Sequence, residues 1–485
     1  MAEQRLEEIR KIRLERRQTL AESGINPYPS KLLKTPQKVS YARDHMGEKV
    51  VVAGRLMSFR EHGNIVFADL KDETGSIQLF FQKKNLEEKF KILRKIDLGD
   101  FLLAEGEVFE TEAGETTVNV ELFQLLTKSI RPLPSTFHGL KDKEDRYRKR
   151  YLDILLNPNV KEMFVRKSKF WEVNREFMKS KGFIEVETPI LEHVTGGADA
   201  KPFTTHHDAL DENFYLRIST ELYLKRLVGA GFEKIYTLGP NFRNEGIDDE
   251  HLQEYYQIEW YWAYANYRDN MSLVKEMFRH IAKEVYGKTK FTKNEHTFDL
   301  SDEWEEIDYA NVIKEKLGID IFSSTEEQML SVLKQHKVDL SEGAVNRNRL
   351  IDNLWKVIRK TISGPAFLVN EPKFMSPLAK SKDDNPEITE RFHIILAGSE
   401  LGNGYSELND PVDQLERFQE QQAQRDSGDE EAQMYDPDYI EMLEYGMPPT
   451  SGYAHSERLF WFLEGVSARE GVLFPQMKRK TKENE

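Results

Sequence analysis

The sequence predicts an α+β protein with a small β-rich part near the N-terminus and a larger mixed part after it. Five short runs rich in β-branched and aromatic residues fall between about residues 49 and 128, separated by turn residues. Beyond residue 160, long helical and strand-like segments mix without a regular βαβ repeat, which favours an antiparallel sheet flanked by helices. A charged stretch that begins with prolines lies between the two parts and is typical of a linker.

The composition excludes several classes of protein. Hydrophobic residues make up 39% of the 485 and aromatic residues 11%, which is too much for a disordered chain. The absence of cysteine excludes disulfides, thiolate zinc sites and cysteine nucleophiles. No apolar run approaches the ~20 residues that span a bilayer, and the charged N-terminus does not resemble a secretory signal. We therefore expect a cytoplasmic protein with no membrane partner.

The charge is distributed unevenly along the chain. The net charge of −15 alone argues against a nucleic-acid partner. However, residues 1–150 carry 28 basic and 24 acidic side chains, whereas the remainder carries 41 and 60. Such asymmetry suggests different partners for the two parts, and the simpler alternative is an acidic enzyme with a slightly basic appendage.

The N-terminal elements follow in order. The spacing of Leu6, Ile9, Ile12 and Leu20 predicts a helix within residues 1–25, which NPYPS ends. The five strand runs are VVVAGRLMSF, IVFADLK, SIQLFFQ, FLLAEGEVF and TTVNVELFQLL. A helical stretch, KNLEEKFKILRKI, follows the third run. Five strands with a helix after the third indicate an OB-fold β-barrel, predicted at 40–135, whose face binds oligonucleotides. The predicted linker covers 136–160, and the second domain covers 161–485 with a helical insertion at about 302–365.

The most informative segment of the second domain is 233–264, which we interpret as a β-hairpin with a polar loop, GIDDEHL. Alternation places Arg243 and Glu245 on one face of the first strand. On the second strand, Tyr255, Gln257, Glu259 and Tyr261 share a face, and the other face is the apolar core face, formed by Tyr256, Ile258, Trp260 and Trp262. An arginine can bind a phosphate or a carboxylate, a tyrosine can stack on a flat ring, and a glutamate can accept from an amine. A solvated sheet face with Glu–Arg pairs is the alternative.

Three further segments could contribute to a site. GSELGNGYSELND, at 398–410, gathers Glu400, Asn403, Tyr405 and Glu407 around glycines that permit close backbone approach to a ligand. GYAHS, at 452–456, is a predicted strand leading into an amphipathic helix with Arg458 near its start. KGFIEVETPIL, at 181–191, is a predicted strand that ends at Pro189.

Taken together, these segments resemble the class II aminoacyl-tRNA synthetases, and most closely the bacterial-type lysyl-tRNA synthetases. GFIEVETP is similar to motif 1 of that class, NFRNE with the EYYQIEWYWAYANY strand to motif 2, and GYAHSERL to motif 3. RPLPSTFHGL, THHDALDENFYLRI, ELYLKRL, GNGYSELND and LEYGMPP are similar to segments of the lysine family. The resemblance extends from the N-terminal helix to LFPQM at 473–477 and keeps the family's order.

The resemblance implies a class II antiparallel-sheet catalytic domain that activates L-lysine with ATP and transfers it to the 3′ end of tRNA(Lys). The residues that match the family's catalytic and ATP-binding positions are Arg243, Glu245, His251, Tyr255, Glu400 and Arg458. Arg243 would bridge the α-phosphate and the lysine carboxylate, Tyr255 would stack on adenine, and Arg458 would cover the other face of that ring. In this mechanism no side chain acts as a nucleophile, because the lysine carboxylate itself attacks phosphorus.

The family's lysine pocket also has matching residues in this chain, at Gly197, Glu221, Glu259, Tyr261, Asn403, Tyr405 and Glu407. Lysine needs acceptors at both amino groups, and carboxylates supply them. The related aspartate and asparagine sites would need a cationic side chain at the same end. A buried acidic site rejects uncharged isosteres because its own charge would stay unpaired.

The resemblance further implies Mg²⁺ at the triphosphate, with Glu400 as one ligand. His393, in ERFHIILAGSE, stands where the family has a second metal-binding Glu. Mg²⁺ prefers oxygen ligands and imidazole suits softer metals, so His393 is the weaker candidate ligand and the family's metal arrangement cannot be copied in full.

The remaining matches concern the partners. Phe67 and Gln78 match positions that stack on and hydrogen-bond an anticodon base, with Arg60 and Glu115 as their neighbours. For Phe67, a place in the barrel core is the alternative. Motif 1, ending at Pro189, implies a homodimer interface.

Three rival functions have weaker support in the sequence. A ligase that attaches lysine to protein, as a truncated relative does, lacks the anticodon domain that this chain has. A catalytically inactive RNA-binding paralogue would have lost Arg243, Glu245 or Arg458. A lipid lysyltransferase would need membrane helices.

Overall fold

A computed structural model describes residues 2–134, 140, 142–246, 248–339, 346–426 and 432–479 of the chain. The chain forms two compact units, Met1–Lys141 and Asp142–Glu485. No helix within the described ranges is both long and apolar enough to cross a membrane.

The first unit is a closed five-stranded barrel with helical segments. Its helices are α1 (Ala2–Glu22), α2 (Val39–Asp44) and α3 (Lys83–Leu86), and a 3-10 helix follows at Glu87–Lys95. Its strands are β1 (Lys49–His62), β2 (Ile65–Lys71), β3 (Ser76–Gln82), β4 (Phe101–Glu110) and β5 (Thr116–Thr127). The barrel closes in the order β1-β2-β3-β5-β4, with β4 paired to β1. Alternate residues of β2 and β3 are buried, as expected for strands that fill a barrel with one face and expose the other.

Polar contacts fix α1 to this barrel. Lys128, at the end of β5, is buried and forms ion pairs with Asp97 and Asp100 at 2.5 and 2.7 Å. Arg13 of α1 donates to the carbonyl oxygens of Ser129 and Arg131 at 3.3 and 3.1 Å. The helix is therefore held by partly buried hydrogen bonds and not only by its few apolar side chains.

The second unit is a mixed α/β unit with a large sheet. Its helices are α4 (Lys143–Arg148), α5 (Arg150–Leu156), α6 (Pro158–Ser180), α7 (Glu221–Gly229), α8 (Tyr267–Tyr286), α9 (Tyr309–Leu317), α10 (Glu326–Gln335), α11 (Arg347–Arg359), α12 (Pro411–Asp426), α13 (Pro437–Tyr445) and α14 (Arg458–Glu464), with a 3-10 turn at Lys373–Met375. Its strands are β6 (Ile184–Glu185), β7 (Leu191–Glu192), β8 (Thr204–His207), β9 (Glu212–Leu216), β10 (Lys234–Phe242), β11 (Glu254–Ala263), β12 (Lys290–Lys293), β13 (His296–Asp299), β14 (Glu305–Asp308), β15 (Ala366–Val369), β16 (Arg391–Leu396), β17 (Ser399–Ser406) and β18 (Thr450–Ser456).

Eight of these strands form one sheet in the order β14-β15-β16-β17-β18-β11-β10-β6. The six inner strands pair antiparallel, and the two edge pairs, β14–β15 and β10–β6, are parallel. This topology confirms the predicted antiparallel α+β domain. One face of the sheet packs on α6 and α8, where Trp260 is fully buried and its indole N–H donates to Asn270 at 2.8 Å.

Part of the stretch predicted as a linker is helical. Helices α4 and α5 and the start of α6 lie within 142–160, and residues 136–139 and 141 lie outside the described residues. Arg150 is buried there, pairs with Asp153 at 2.9 Å and donates to backbone carbonyl oxygens near residue 470. The charges in this stretch are thus paired inside the second unit, which charge patterning alone could not show.

The predicted insertion at about 302–365 is mostly helical. It contains α9, α10 and α11, and residues 340–345 of it lie outside the described residues. It also begins with β14, which pairs with β15 at the edge of the large sheet. The buried residues of these helices form a separate apolar cluster that includes Trp355.

Candidate active site

A cavity of about 400 Å³ lies on one side of the large sheet, where it is lined by residues of β11, β16, β17 and β18. The fourteen residues predicted to bind ATP, lysine or metal all line it: Gly197, Glu221, Arg243, Glu245, His251, Tyr255, Glu259, Tyr261, His393, Glu400, Asn403, Tyr405, Glu407 and Arg458. The structure therefore brings together residues that are up to 261 positions apart in the sequence.

One end of the cavity is acidic, and Glu259 of β11 is its best-oriented carboxylate. Its Oε1 accepts from the Tyr261 hydroxyl at 2.8 Å, and its Oε2 accepts from Thr220 and Gln257, each at 2.9 Å. The side chain is buried, so these three donors fix its direction. Tyr255, Gln257, Glu259 and Tyr261 all line the cavity, because alternate residues of a strand share a face.

Two further carboxylates at this acidic end share one buried ammonium group. Glu221 Oε1 accepts from Lys225 Nζ at 2.5 Å and from the Tyr405 hydroxyl at 2.6 Å. Lys225 is fully buried and also forms an ion pair with Glu407. Among the described residues, none donates a hydrogen bond to either carboxylate oxygen of Glu407 with good geometry. The acidic end thus has three carboxylates and one internal cation.

The pKa values of this cluster reflect the excess of negative charge. Burial and the nearby Glu221 raise the pKa of Glu259. Burial, together with Glu221 and Glu259, also raises the pKa of Glu407 despite the presence of Lys225. Burial would lower the pKa of Lys225, but Glu221 and Glu407 outweigh it and raise that pKa well above the usual value. A ligand that carries ammonium groups would supply the missing positive charge.

Glycines make room at the acidic end. A Cβ atom at Gly452 of β18 would lie 2.4 Å from Glu407 Oε1 and 2.4 Å from a Tyr261 ring carbon. Gly197 has φ +84°, and a Cβ there would lie 2.7 Å from the Glu221 Cβ. Larger residues at these two positions would displace the carboxylates.

The other end of the cavity carries arginines beside an aromatic ring. The Arg243 guanidinium lies 5.5 Å from the centroid of the Tyr255 ring. Strand β10 ends at Phe242, so Arg243 and Glu245 follow the strand and do not alternate on it as predicted. Arg458, the first residue of α14, forms an ion pair with Glu250 of the loop between β10 and β11. His251, in the same loop, lies 2.8 Å from Asp248.

Between the two ends, a row of charged side chains crosses β16 and β17. Arg391 Nη1 and His393 Nε2 lie 3.0 and 3.1 Å from Glu371 Oε2. On the other side, His393 Nδ1 lies 3.8 Å from Glu400 Oε2. Burial would raise the pKa of Glu371, but Arg391 and His393 outweigh it and lower that pKa to about 2.

The predicted metal ligands do not fit a Mg²⁺ site built from two carboxylates. Glu400 Oε1 accepts from the Trp355 indole N–H and lies 3.5 Å from Arg359 Nη1, so a cation already faces it. The second position is His393, whose Nε2 contacts Glu371. Across the described ranges, no group of three or more His, Asp or Glu side chains is arranged to hold a metal ion.

The barrel carries a second set of predicted residues. Phe67 is half-buried on the outer face of β2, between the core residues Val66 and Ala68, so it does not occupy the barrel core. Its ring stacks on Phe80, with centroids 4.8 Å apart. Gln78, on the same face of β3, accepts from the Thr117 hydroxyl at 3.0 Å.

The neighbours of this aromatic surface are polar and exposed. Arg60 is the cross-strand partner of Phe67, and both Arg60 and Glu115 are exposed to solvent. Phe109 lies beyond Phe80, with ring centroids 6.1 Å apart. The outer face of the barrel therefore offers stacked aromatic rings beside charged groups.

Pro189 lies away from the cavity, in the segment between β6 and β7. Arg217 holds this segment by donating to the carbonyl oxygens of Thr188 and Pro189 at 3.1 and 3.4 Å. Three apolar residues around it are exposed: Ile184, Ile190 and Leu191.

Sequence reasoning missed several residues of the site. Lys225 carried a signal, because it lies four positions after Glu221 on one helix and so shares its face. Arg391 precedes His393 by two positions on β16, which also predicts a shared face. No sequence pattern pointed to Glu371, Trp355 or Arg359, because only the folding of the chain brings these residues next to β16 and β17.

Two family models match the chain. The model described as tRNA synthetases class II (D, K and N) matches residues 142–478. The model described as OB-fold nucleic acid binding domain matches residues 50–126.

Curated relatives match over almost the full chain. A lysine–tRNA ligase of Thermotoga maritima is 43% identical over 99% of this chain and 98% of its own length. A lysine–tRNA ligase of Halalkalibacterium halodurans is 41% identical over 98% of both chains. A lysine–tRNA ligase of Bacillus subtilis is 40% identical over 97% of both chains.

Proposed function

The chain belongs to the class II lysine–tRNA ligases, and from this membership we propose the role of each part of its cavity and barrel. The enzyme activates L-lysine with ATP and transfers the lysyl group to tRNA(Lys). The observation that carries the assignment of the cavity is its acidic end, with three carboxylates against one internal ammonium.

The acidic end binds the amino groups of lysine. Glu259 and Tyr261 receive one ammonium group, because Glu259 is oriented by three donors and points into the cavity. Glu407, whose oxygens accept no well-aligned hydrogen bond from described residues, completes this pocket with Glu221 and Tyr405. Charge pairing in a buried site gives both affinity and discrimination, because neutral amino acids would leave the carboxylates uncompensated.

The arginine-containing end binds ATP. The adenine ring lies between Tyr255 and Arg458, and the Arg243 guanidinium faces the α-phosphate and the lysine carboxylate. For this ring to enter, Arg458 must exchange its contact with Glu250 for the adenine face. Glu245 and His251 are the further ATP contacts, and Asn403 lies at the lysine carboxylate.

The chemistry then follows from placement. A carboxylate oxygen of lysine attacks the α-phosphorus, the bond to the pyrophosphate oxygen breaks, and lysyl-adenylate forms. The 3′-terminal ribose hydroxyl of the tRNA next attacks the lysyl carbonyl carbon, and AMP leaves. Arg243 stabilises the negative charge that develops at phosphorus in the first step. The remaining rate enhancement comes from holding the reactants in line.

Mg²⁺ enters this scheme as part of the substrate. ATP carries the ion on its phosphates, and Mg²⁺ commonly keeps several waters and few protein ligands. Glu400 is the predicted protein contact near it, and His393 is not suited to that role because it is engaged with Glu371.

The barrel binds the anticodon of the tRNA. Phe67 provides a ring for base stacking, and Gln78 provides hydrogen-bonding groups next to it. Arg60 and Glu115 flank the stacked base.

We also propose that the enzyme is a cytoplasmic homodimer. The segment that contains Pro189 lies at the β6 edge of the sheet, where Ile184, Ile190 and Leu191 are exposed and would be buried by a second copy. Sedimentation equilibrium of the purified chain tests this point. A mass of one chain at micromolar concentration would contradict it.

Lysine-dependent exchange of labelled pyrophosphate into ATP, measured with each of the twenty amino acids, tests the function. We expect exchange with lysine above all others, and charging of tRNA(Lys) in the complete reaction. Glu407→Gln should lower the exchange efficiency with lysine at least ~10-fold, since a charge-assisted hydrogen bond contributes about 1.5–3 kcal/mol. Glu444→Gln is the matched control, because Glu444 is an exposed residue of α13. Exchange with another amino acid, or an unchanged lysine KM and kcat in Glu407→Gln, would contradict the assignment.

A further inference from the structure

The row of charged side chains beside the cavity is paired internally from one end to the other. It runs through five residues in the order Arg359, Glu400, His393, Glu371 and Arg391. The successive contacts measure 3.5, 3.8, 3.1 and 3.0 Å. Trp355 adds an indole N–H donor to the same oxygen of Glu400 that Arg359 faces.

This row is electrically balanced without a metal ion. Its two carboxylates, Glu371 and Glu400, face two guanidinium groups, Arg391 and Arg359, and His393, which lies between the carboxylates, adds no negative charge to the row. A glutamate at position 393 would place a third carboxylate between the other two. The row would then carry one uncompensated negative charge in a largely buried place, and repulsion over a few ångströms in a low dielectric would demand a cation.

Both cations of the row are built into the fold. Arg359 is the last residue of α11, and its side chain is 19% exposed. Arg391 lies on β16, also with a side chain that is 19% exposed, and it additionally donates to Ser376 at 3.2 Å. Unlike a metal ion, these groups do not dissociate, so their positive charge is present at any metal concentration.

We propose that Arg359 and His393 replace a protein-bound Mg²⁺ ion in this chain, so that the active site takes up only the ion that ATP carries. The proposal rests on the proposed function, because that function places the triphosphate beside Glu400. Glu371 then acts as a positioning residue that holds His393 and Arg391. The activity of the enzyme should therefore require no Mg²⁺ beyond the ion that is bound to ATP.

Counting bound Mn²⁺ tests the proposal, since Mn²⁺ accepts oxygen ligands as Mg²⁺ does and its free concentration is read by electron paramagnetic resonance. The full-length chain is titrated with Mn²⁺ in the presence of lysine and α,β-methylene-ATP. We expect one Mn²⁺ per chain with the analogue, and none without it at the same concentrations. His393→Glu and Arg359→Met should each gain one Mn²⁺ per chain, because each leaves the row with an uncompensated negative charge.

Lys356→Met is the matched control. Lys356 lies on the same helix as Arg359, but it pairs with Asp352 at the surface, so its loss should leave the Mn²⁺ count unchanged. Two or more Mn²⁺ per wild-type chain would overturn the proposal, and so would an unchanged count in both variants when circular dichroism shows that they are folded. The wild-type count decides the question even if one variant fails to fold. Pyrophosphate exchange, measured with ATP on a separate portion of the same wild-type preparation, distinguishes failure of this proposal from failure of the proposed function, because the absence of exchange with every amino acid would overturn the proposed function instead.

Discussion

Lys225 is a single residue that acts on the lysine pocket through its carboxylates and does not face the ligand in our proposal. It is fully buried and neutralises part of the charge of Glu221 and Glu407. Removing a partner from a buried ion pair leaves an uncompensated charge and costs about 3–5 kcal/mol. Lys225 therefore sets both the stability of the pocket and the protonation of its carboxylates.

Lys225→Met should weaken lysine binding at least ~10-fold at neutral pH, because one of the two carboxylates then takes up a proton in place of the lost ammonium. Calorimetric titration with lysine at several pH values measures this. The pH at which affinity is half lost should also move upward, which a merely structural defect would not produce. Lys283→Met, an exposed lysine of α8, is the control. An unchanged pH profile in folded Lys225→Met would contradict the role of this residue.

The wild-type pocket should itself respond to pH. Burial raises the pKa values of Glu259 and Glu407 in the free enzyme, and a bound ammonium group would lower them again. Lysine binding therefore releases protons, and affinity must rise with pH and fall as the carboxylates become protonated.

Lysine affinity should fall as the pH is lowered from 8 to 6, by at most about tenfold per pH unit for each proton that the free carboxylates take up. Titrations in buffers of different ionisation enthalpy give the number of protons released. The number of protons released on lysine binding should be smaller in Glu407→Gln than in the wild type. Affinity that is independent of pH over this range, with no proton release, would show that the carboxylates are ionised before lysine arrives.

At the scale of elements, the residue before α13, Asp436, links this helix to α7. Asp436 caps α13 by accepting from the Tyr439 N–H at 3.0 Å, and it receives two hydrogen bonds from Arg226 of α7 at 2.9 and 2.7 Å. The Asp436 side chain thus satisfies an otherwise unpaired N–H group in the first turn of α13, and it also neutralises the charge of Arg226 on α7.

Asp436→Ala should lower the free energy of unfolding of the second unit by about 2 kcal/mol or more. Loss of a cap costs about 1 kcal/mol, and Arg226 is left without its carboxylate partner at a cost of about 1–3 kcal/mol. Thermal unfolding followed by circular dichroism measures the effect. Asp438→Ala, two positions later and exposed, should leave the unfolding temperature nearly unchanged. Equal effects of the two substitutions would show that the cap and the pair contribute little.

The elements also show how far sequence patterns reach. The cavity face of β11 could be predicted, because period-two alternation places Glu259 and Tyr261 together and opposite Trp260. The same alternation predicted wrongly that Arg243 lies on the strand, because β10 ends one residue earlier, at Phe242. The contacts of Glu371 with His393 and of Trp355 with Glu400 could not be predicted, because no local period relates residues on a helix or loop to those on a distant strand.

At the scale of the whole molecule, two units carry two tasks. The aromatic surface of Phe67 and Phe80 lies on the barrel of the first unit, and the cavity lies in the second. Each unit has an apolar core of its own, so we expect a substitution on the outer face of the barrel to leave the core beside the cavity unchanged.

Phe67→Ala should therefore separate the two half-reactions. Stacking on an aromatic ring contributes about 1–3 kcal/mol per base, so the KM for tRNA(Lys) should rise about 5- to 150-fold. Lysine-dependent pyrophosphate exchange, which needs no tRNA, should stay within twofold of wild type. Because Phe67 is half-buried against Phe80 and outside the barrel core, its removal leaves no core cavity and the unfolding temperature should change little. Equal loss of exchange and charging, together with a lower unfolding temperature, would instead identify Phe67 as a residue that stabilises the fold.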